Sequence, residues 1–181
     1  MKIICISGKA QHGKDTSAAM IKELLEAQNN RVLITHYGDL VKYVCRTFFD
    51  WDGKKDEKGR TLLQYVGTDV VRNQQSEFWV NFIVDILRFF EKEWDYVLIP
   101  DCRFPNEIER MKKEFFDVAS LRICRENFVS PLSEEQQRHP SETALDDYDS
   151  DYVIYNSGTL EDLRQMIKLY LGIADNFRRV E

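Results

Sequence analysis

The residues best placed to do chemistry lie in the run Ser7-Gly8-Lys9-Ala10-Gln11-His12-Gly13-Lys14-Asp15-Thr16. Two glycines bracket a short loop and a lysine follows the second directly. Glycine permits positive φ and lets a bulky anion approach the backbone closely. The N–H groups of Gly8, Gln11, His12 and Gly13, and of a helix opening at Lys14, have no intrahelical partners. They converge on one point, where the helix dipole adds positive charge. Lys14 adds a full charge suited to the terminal phosphates of a nucleotide. Such loops usually carry Ser or Thr straight after the lysine as a Mg²⁺ ligand. Here Asp15 holds that position and Thr16 follows. Asp15 can sit at the helix start as a dipole partner or reach a metal ion through water. Thr16 can offer its hydroxyl. The expected donor-phosphate and metal site is therefore Gly8 to Thr16.

Further polar groups follow apolar runs at other points of the chain. Asp101 ends the run DYVLIP, where an acid can position Mg²⁺ or cap a turn. Arg103 lies two residues on, with a guanidinium that matches phosphate in a bidentate way. Glu107 could instead hold it in a salt bridge. Arg72, in Gly-Thr-Asp-Val-Val-Arg, is on spacing alone a solvated helix residue. Asp39 reads as a helix cap. Arg125 and Arg138 flank a long polar segment, and a long loop in a compact domain is usually functional or disordered. A lid carrying both arginines would exclude water from a transferring phosphoryl group. His139, in HPSET, suits a hinge or lid contact better than a general base, because phosphoryl transfer depends on positioning and charge. Glu142 can brace the same segment. Asn156-Ser157-Gly158 follows the last strand and should lie beside the phosphate loop, where Asn156 and Gly158 could contact a nucleobase.

The elements that must position these residues are legible from periodicity. Short β-branched runs at Lys2–Ser7, Arg31–His36, Asp95–Pro100, Asp117–Cys124 and Asp151–Tyr155 predict five strands buried on both faces. Helical spacing predicts helices from Lys14 to about Gln28, Leu40 to Phe49, Arg60 to Val66, a further helix carrying Arg72, one from Ser76 to about Trp94, Pro105 to about Phe115, and Leu160 to Leu171. Gly67 is expected to terminate one helix, Thr68 or Asp69 to cap the next and Ser76 the long one. The tail to Glu181 is polar and expected to be loosely held. Strands alternating with helices predict an α/β fold, a five-stranded parallel sheet with helices on both faces. Ligands of such sheets bind at the carboxyl ends of the strands, where the polar residues named above fall.

Composition narrows the partners. The 181 residues are 43% hydrophobic, enough to fill the core of one domain, and carry a net charge of −6. That balance opposes binding to a nucleic-acid polymer or a membrane surface. Cys5, Cys45, Cys102 and Cys124 are scattered, without metal-ligand spacing, and read as reduced cysteines. No signal pattern opens the chain and no apolar run is long enough to span a bilayer, so a cytoplasmic location is expected. No pattern encodes an oligomeric state, and a homodimer stays open.

The stretches SGKAQHGKDT, LQYVGTDVVR followed by FWV, DCRFPNE, HPSE and IYNSGTLEDL run in this order through nearly the whole chain. Together they resemble the deoxynucleoside monophosphate kinases of phages, within the nucleoside monophosphate kinase group of P-loop proteins. Asp after the loop lysine looks like a feature of that family. The resemblance implies a single domain over 1–181 with an adenylate-kinase type core, ATP and Mg²⁺, and a nucleoside monophosphate substrate. It implies an acceptor-binding helical part at about 39–94, including Asp39, and a lid-like segment at about 125–149. Arg72 and Arg103 become ligands of the acceptor phosphate, beside Asp101. It does not fix the acceptor's base. Two other readings stay open: a P-loop kinase with another small acceptor such as dephospho-coenzyme A, and a nucleotide-binding protein without turnover.

Overall fold

In a computed structural model, which describes residues 1–173, five strands form one parallel sheet in the order β2-β3-β1-β4-β5. The strands are β1 (Lys2–Ser7), β2 (Val32–Ile34), β3 (Tyr96–Cys102), β4 (Val118–Cys124) and β5 (Tyr152–Tyr155). β1 sits at the centre, with Ile3 opposite Val97 on one side and Val118 on the other. Parallel neighbours need crossover connections, and helices supply them. α1 (Lys14–Glu26) joins β1 to β2, α5 (Pro105–Glu114) joins β3 to β4, and α8 (Leu160–Leu171) follows β5. The tail from residue 174 lies outside the described residues.

The inner strands β1, β3 and β4 are buried at successive positions because both faces are covered, whereas β5, expected to be buried on both faces, lies at the sheet edge and buries only Ile154. Ile3 and Cys5 point with Val97 and Ile99 into a core completed by Val80, Val84 and Leu87 on one side. Ile4 and Ile6 point with Leu98, Leu121 and Ile123 toward Ala18, Ile21, Leu163 and Ile167 on the other. This period of two, buried on both sides, makes the strands read as continuous apolar runs. Fixing both layers on β1 also fixes the loop that leaves its carboxyl end.

Between β2 and β3 the chain forms a helical part with its own small core of Val41, Cys45, Trp51, Val66 and Trp79. It comprises α2 (Gly38–Phe48), α3 (Glu57–Gln64), a π-helical segment (Tyr65–Arg72) and α4 (Phe78–Phe89). Here the sequence-based expectations need correction. Gly67 does not end a helix, and neither Thr68 nor Asp69 caps one: α3 runs straight into the π-helical segment. Gly67 is there for proximity. A Cβ on it would lie 3.2 Å from Val41 Cγ1, and its carbonyl accepts the Trp79 indole N–H at 2.8 Å. Ser76 does not cap α4, which starts at Phe78 without a side-chain cap and stops at Phe89. The Ser76 carbonyl instead accepts from Arg72 and Asn106.

The polar stretch between β4 and β5 contains two short helices, α6 (Glu134–Arg138) and α7 (Pro140–Thr143). All four cysteines are free, and Cys124 is only half-buried. Among the described residues no helix is long and apolar enough to cross a membrane.

Candidate active site

The loop after β1 is built around two glycines that cannot be replaced without strain. Gly8 has φ +140°, and a Cβ on it would meet the Ile123 carbonyl oxygen of β4 at 2.3 Å. Gly13 has φ +97° and would press a Cβ onto Asn156 Nδ2 at 2.5 Å. Gln11 also adopts positive φ, at 61°. Gly13 is the N-cap of α1 and no side chain caps that terminus, so its first-turn amides remain available to an anion. Lys14 is 7% exposed. Its Nζ donates to the carbonyls of Gly8 at 2.7 Å and Lys9 at 2.9 Å. Burial, then the neighbouring charge of Arg103, brings the Lys14 ammonium down to about 8.

Asp15, exposed in the first turn of α1, meets a histidine that sequence reasoning did not single out. His36 Nε2 lies 3.2 Å from Asp15 Oδ1, and His36 Nδ1 lies 3.5 Å from Asp39 Oδ2. The hydrogen bond to Asp15 raises the His36 pKa, with Asp101 and Asp39 adding to it against burial. The same bond holds the Asp15 carboxyl below its ordinary range. Asp39 also takes Lys42 Nζ at 2.7 Å, within the first turn of α2. Asp101, at the end of β3, accepts from the amides of Tyr37 at 3.0 Å and Gly38 at 2.8 Å. It thus caps the start of α2, as a carboxylate next to free helix N–H groups should. Burial raises its pKa, opposed by the Gly38 amide, His36, the Tyr37 amide and Arg103.

The arginines are held from below. Arg72, 9% exposed, donates through Nη1 to the Ser76 carbonyl at 3.0 Å and Asn106 Oδ1 at 2.9 Å. Nη2 pairs with Glu107. Its guanidinium carbon lies 3.9 Å from the centroid of the Phe104 ring. Glu107 spends its second oxygen on the amides of Arg103 at 2.6 Å and Phe104 at 3.1 Å. Burial pushes the Glu107 carboxyl up to about 7, against Arg72 and these amides, which hold it down. Glu107 therefore grips Arg72 and the Arg103 backbone. The Arg103 side chain pairs with Glu142 instead.

These groups surround one cavity of about 400 Å³. Ala10, Gln11, Lys14 and Asp15 of the loop line it together with Arg72, Asp101 and Arg103. His36, Trp79, Phe104 and Glu142 also contribute. Other expected residues lie elsewhere. Thr16 is exposed on α1 beyond the lining, and Asp39 is turned to Lys42 and His36. His12 gives its carbonyl to Asn156 Nδ2 at 3.0 Å. Its Nδ1 accepts from the Arg125 amide at 3.1 Å. Burial and then Lys14 lower its pKa. Asn156 thus braces the loop from β5. Gly158 is packed so closely that a Cβ would meet Asp162 Oδ2 at 2.5 Å, which assigns it to the start of α8. The Arg125 guanidinium lies over Phe128, 4.8 Å from the centroid. Arg138, 80% exposed, pairs with Glu134 one turn earlier on α6. Neither arginine lines the cavity. The local i,i+4 pairing satisfies Arg138 at the surface.

The strand order, the glycine loop leaving the central strand and the lysine opening α1 together define a P-loop kinase fold of the adenylate-kinase type. Solved kinases share this fold at low sequence identity. A sugar kinase from Janibacter sp. HTCC2649 superposes with a TM-score of 0.57 at 9% identity, covering 96% of each chain. Shikimate kinase from Aquifex aeolicus gives a TM-score of 0.51 at 15% identity, covering 94% of this chain and 96% of that one. The Mycobacterium tuberculosis APS kinase in complex with AMPPNP and APS gives 0.52 at 10% identity, covering 94% and 97%. More particularly, the chain belongs to the deoxynucleotide monophosphate kinase family, whose model matches residues 39–167. The deoxynucleotide monophosphate kinase of Enterobacteria phage T4 is 33% identical over 116 residues, which are 63% of this chain and 45% of that protein. The enzyme of the same name from Escherichia phage RB69 is 29% identical over 114 residues, covering 62% and 44%. The aligned region thus spans a little under half the length of these curated relatives.

Proposed function

We propose that this chain transfers the terminal phosphoryl group of ATP to a deoxynucleoside 5′-monophosphate, giving the diphosphate. The observation that carries the reading is the shared cavity, lined by the phosphate loop and by two arginines held on separate elements. A donor site alone would need only the loop. Arg72, stacked and fixed from below, and Arg103 give the cavity a second anion-binding half, suited to the phosphate of an acceptor. In this reading the part at about 39–94 binds the acceptor, and the segment at about 125–149 is the lid.

The loop fits a nucleotide on its own geometry. Gly8 and Gly13 leave a cradle that a Cβ would fill, and the first-turn amides of α1 carry no cap. Lys14 and these amides would hold the donor phosphates, with Asn156 bracing the loop. For Mg²⁺, Asp15 would supply a hard carboxylate oxygen, whose ionised form the hydrogen bond with His36 favours, and Asp101 lines the same cavity; Thr16 follows Asp15 in the chain. Among the described residues no group of three or more His, Cys, Asp or Glu forms a metal site. That suits Mg²⁺ held mainly by phosphates and water with one or two protein oxygens. Bound Mg-ATP would supply the transferable phosphoryl group and offset its charge. The chain's own part is orientation and charge stabilisation: Arg72 and Arg103 hold the acceptor phosphate, and the lid excludes water. We assign the lid function to the segment and not to Arg138, which faces solvent.

The test is a coupled assay of ADP release with Mg-ATP and a panel of dTMP, dGMP, dCMP, dAMP and dephospho-coenzyme A. ADP formed only with one or more nucleotides, and lost in Lys14→Ala, is the expected result. Acceptor-independent ADP release, or transfer to dephospho-coenzyme A alone, would overturn the reading.

A further inference from the structure

The stretch His139–Glu142 touches three separate elements, two of them through the cavity-lining residues Ala10 and Arg103. His139 Nε2 lies 3.2 Å from Asp69 Oδ1 of the π-helical segment, while Nδ1 accepts the Ser141 amide at 3.2 Å, which fixes the ring. The Ser141 carbonyl accepts from Arg103 Nη1 at 3.1 Å. Glu142 then divides its carboxylate. Oε1 accepts from the same Arg103 Nη1, and Oε2 accepts from the amide of Ala10, in the phosphate loop, at 3.1 Å. The Glu142 side chain is 8% exposed. Acceptor helices, β3 loop and phosphate loop are thereby joined through a single tetrapeptide.

The division of Glu142 is the informative feature. A carboxylate needed only to neutralise Arg103 would take it in a two-pronged pair. Here one oxygen goes to a guanidinium and the other to a backbone amide on a different element. Burying an acid in this way is unfavourable unless both oxygens are satisfied. Anchoring Nη1 restrains a long side chain that lines the cavity. The rotamer entropy of Arg103 is thus lost before a ligand arrives.

We propose that Glu142 is a positioning residue for phosphoryl transfer: it bridges Ala10 and Arg103, so that the arginine is held at a fixed offset from the phosphate loop. His139 aligns the bridge with the acceptor helices through Asp69. Glu142 acts through Arg103 and touches no reacting atom. The proposal rests on the kinase reading above. A displaced positioning group can cost about a hundredfold in rate without weakening binding.

The experiment uses the full chain and the variants Glu142→Ala, Glu142→Gln, Arg103→Ala and the double variant Glu142→Ala/Arg103→Ala. With Mg-ATP and an accepted nucleotide, Glu142→Ala should lower kcat between about tenfold and a hundredfold, with both KM values within about threefold. Glu142→Gln, which keeps one acceptor oxygen, should recover part of the loss. Adding Glu142→Ala to Arg103→Ala should cost less than about twofold more, since no arginine is left to position. A kcat within about twofold of the parent, or full additivity with Arg103→Ala, would overturn the proposal. Hydrogen exchange supplies a readout that needs no turnover. In Glu142→Ala the Ala10 amide should exchange at least about tenfold faster while β1 and β3 stay protected. If the parent chain phosphorylates no nucleotide, the kinase reading falls. Unchanged Ala10 protection would then overturn the bridge, and faster exchange would uphold it. Should Glu142→Ala fail to fold, Glu142→Gln carries the same comparisons with smaller expected effects.

Discussion

Arg72 lies flat against Phe104, its guanidinium carbon 3.9 Å from the ring centroid, while Glu107 pairs with its Nη2 group. Stacking, a buried carboxylate and two further acceptors fix the plane of the fork. A lysine cannot reproduce this, since an ammonium is a point charge without a planar face. Arg72→Lys should therefore raise KM for the nucleoside monophosphate by at least about tenfold and leave KM for ATP within about threefold. Initial-rate kinetics with each substrate varied in turn checks this; equal effects on both would remove Arg72 from the acceptor half.

Glu107 is 2% exposed and serves Arg72 together with two backbone amides. Removing it leaves a buried guanidinium without its counter-charge, which costs roughly 3–5 kcal/mol. Glu107→Ala should lose about 3 kcal/mol in urea unfolding. Glu107→Gln keeps the acceptor for an amide and should lose less. A change below about 1 kcal/mol for Glu107→Ala would show that water replaces the carboxylate at no cost.

Lys14 titrates near 8 because it is buried beside Arg103. The unfolded chain holds this proton up to its ordinary 10.5, so between the two values the unfolded state binds more protons. Stability from this group therefore rises with pH across that window and is lost as pH falls toward about 8. Bound phosphates reverse the shift by favouring the ammonium. Binding of a non-hydrolysable ATP analogue at about pH 8 should take up about half a proton, and much less at about pH 6.5. Titration calorimetry in two buffers of different ionisation heat measures the uptake. Lys14→Arg should abolish it, and identical heats in both buffers for the parent chain would contradict the mechanism.

The sheet, the glycine loop and the last helix were legible in the sequence because their signals are local. β-branched runs mark strands buried on both faces, and Gly8, Gly13 and Lys14 stand close together in the chain. The helical part was less legible. Gly67 looks like a helix terminator, but a glycine also lets two helices approach, and only the contact with Val41 decides between these uses. The pairings that organise the cavity were hidden for a different reason. Asp15 meets His36 across 21 positions. Arg103 meets Glu142 across 39, and Ala10 meets Glu142 across 132. No periodicity joins residues so far apart. Arg138 pairs with its local partner Glu134, and a polar segment alone does not say which way an arginine points.

Gly8 tests how tightly the loop is built. Its φ is +140°, and a Cβ there would sit 2.3 Å from the Ile123 carbonyl oxygen, which excludes any side chain without movement of β4 against β1. Gly8→Ala should cost about 3 kcal/mol of stability and abolish nucleotide binding, read by thermal unfolding with and without ATP. A folded variant that still gains stability from ATP would show that the loop can relax.

Asp101 separates two roles for one carboxylate. Its oxygens accept from the Tyr37 and Gly38 amides, so its first task is to hold the start of α2, and with it His36, against the end of β3. Asp101→Asn keeps the shape but turns one acceptor into a donor that faces an N–H. Leaving that amide unsatisfied costs about 1–3 kcal/mol. If capping is all Asp101 does, the variant should lose that much stability while kcat at saturating substrates, well below its melting temperature, falls less than about tenfold. If Asp101 also orders a metal-bound water, kcat should fall by about a hundredfold or more, and raising Mg²⁺ should restore part of the loss, because the carboxylate then contributes to binding the ion. We expect the second outcome, since the same acid lines the cavity beside Lys14 and Arg103. An unchanged Mg²⁺ dependence would confine Asp101 to capping.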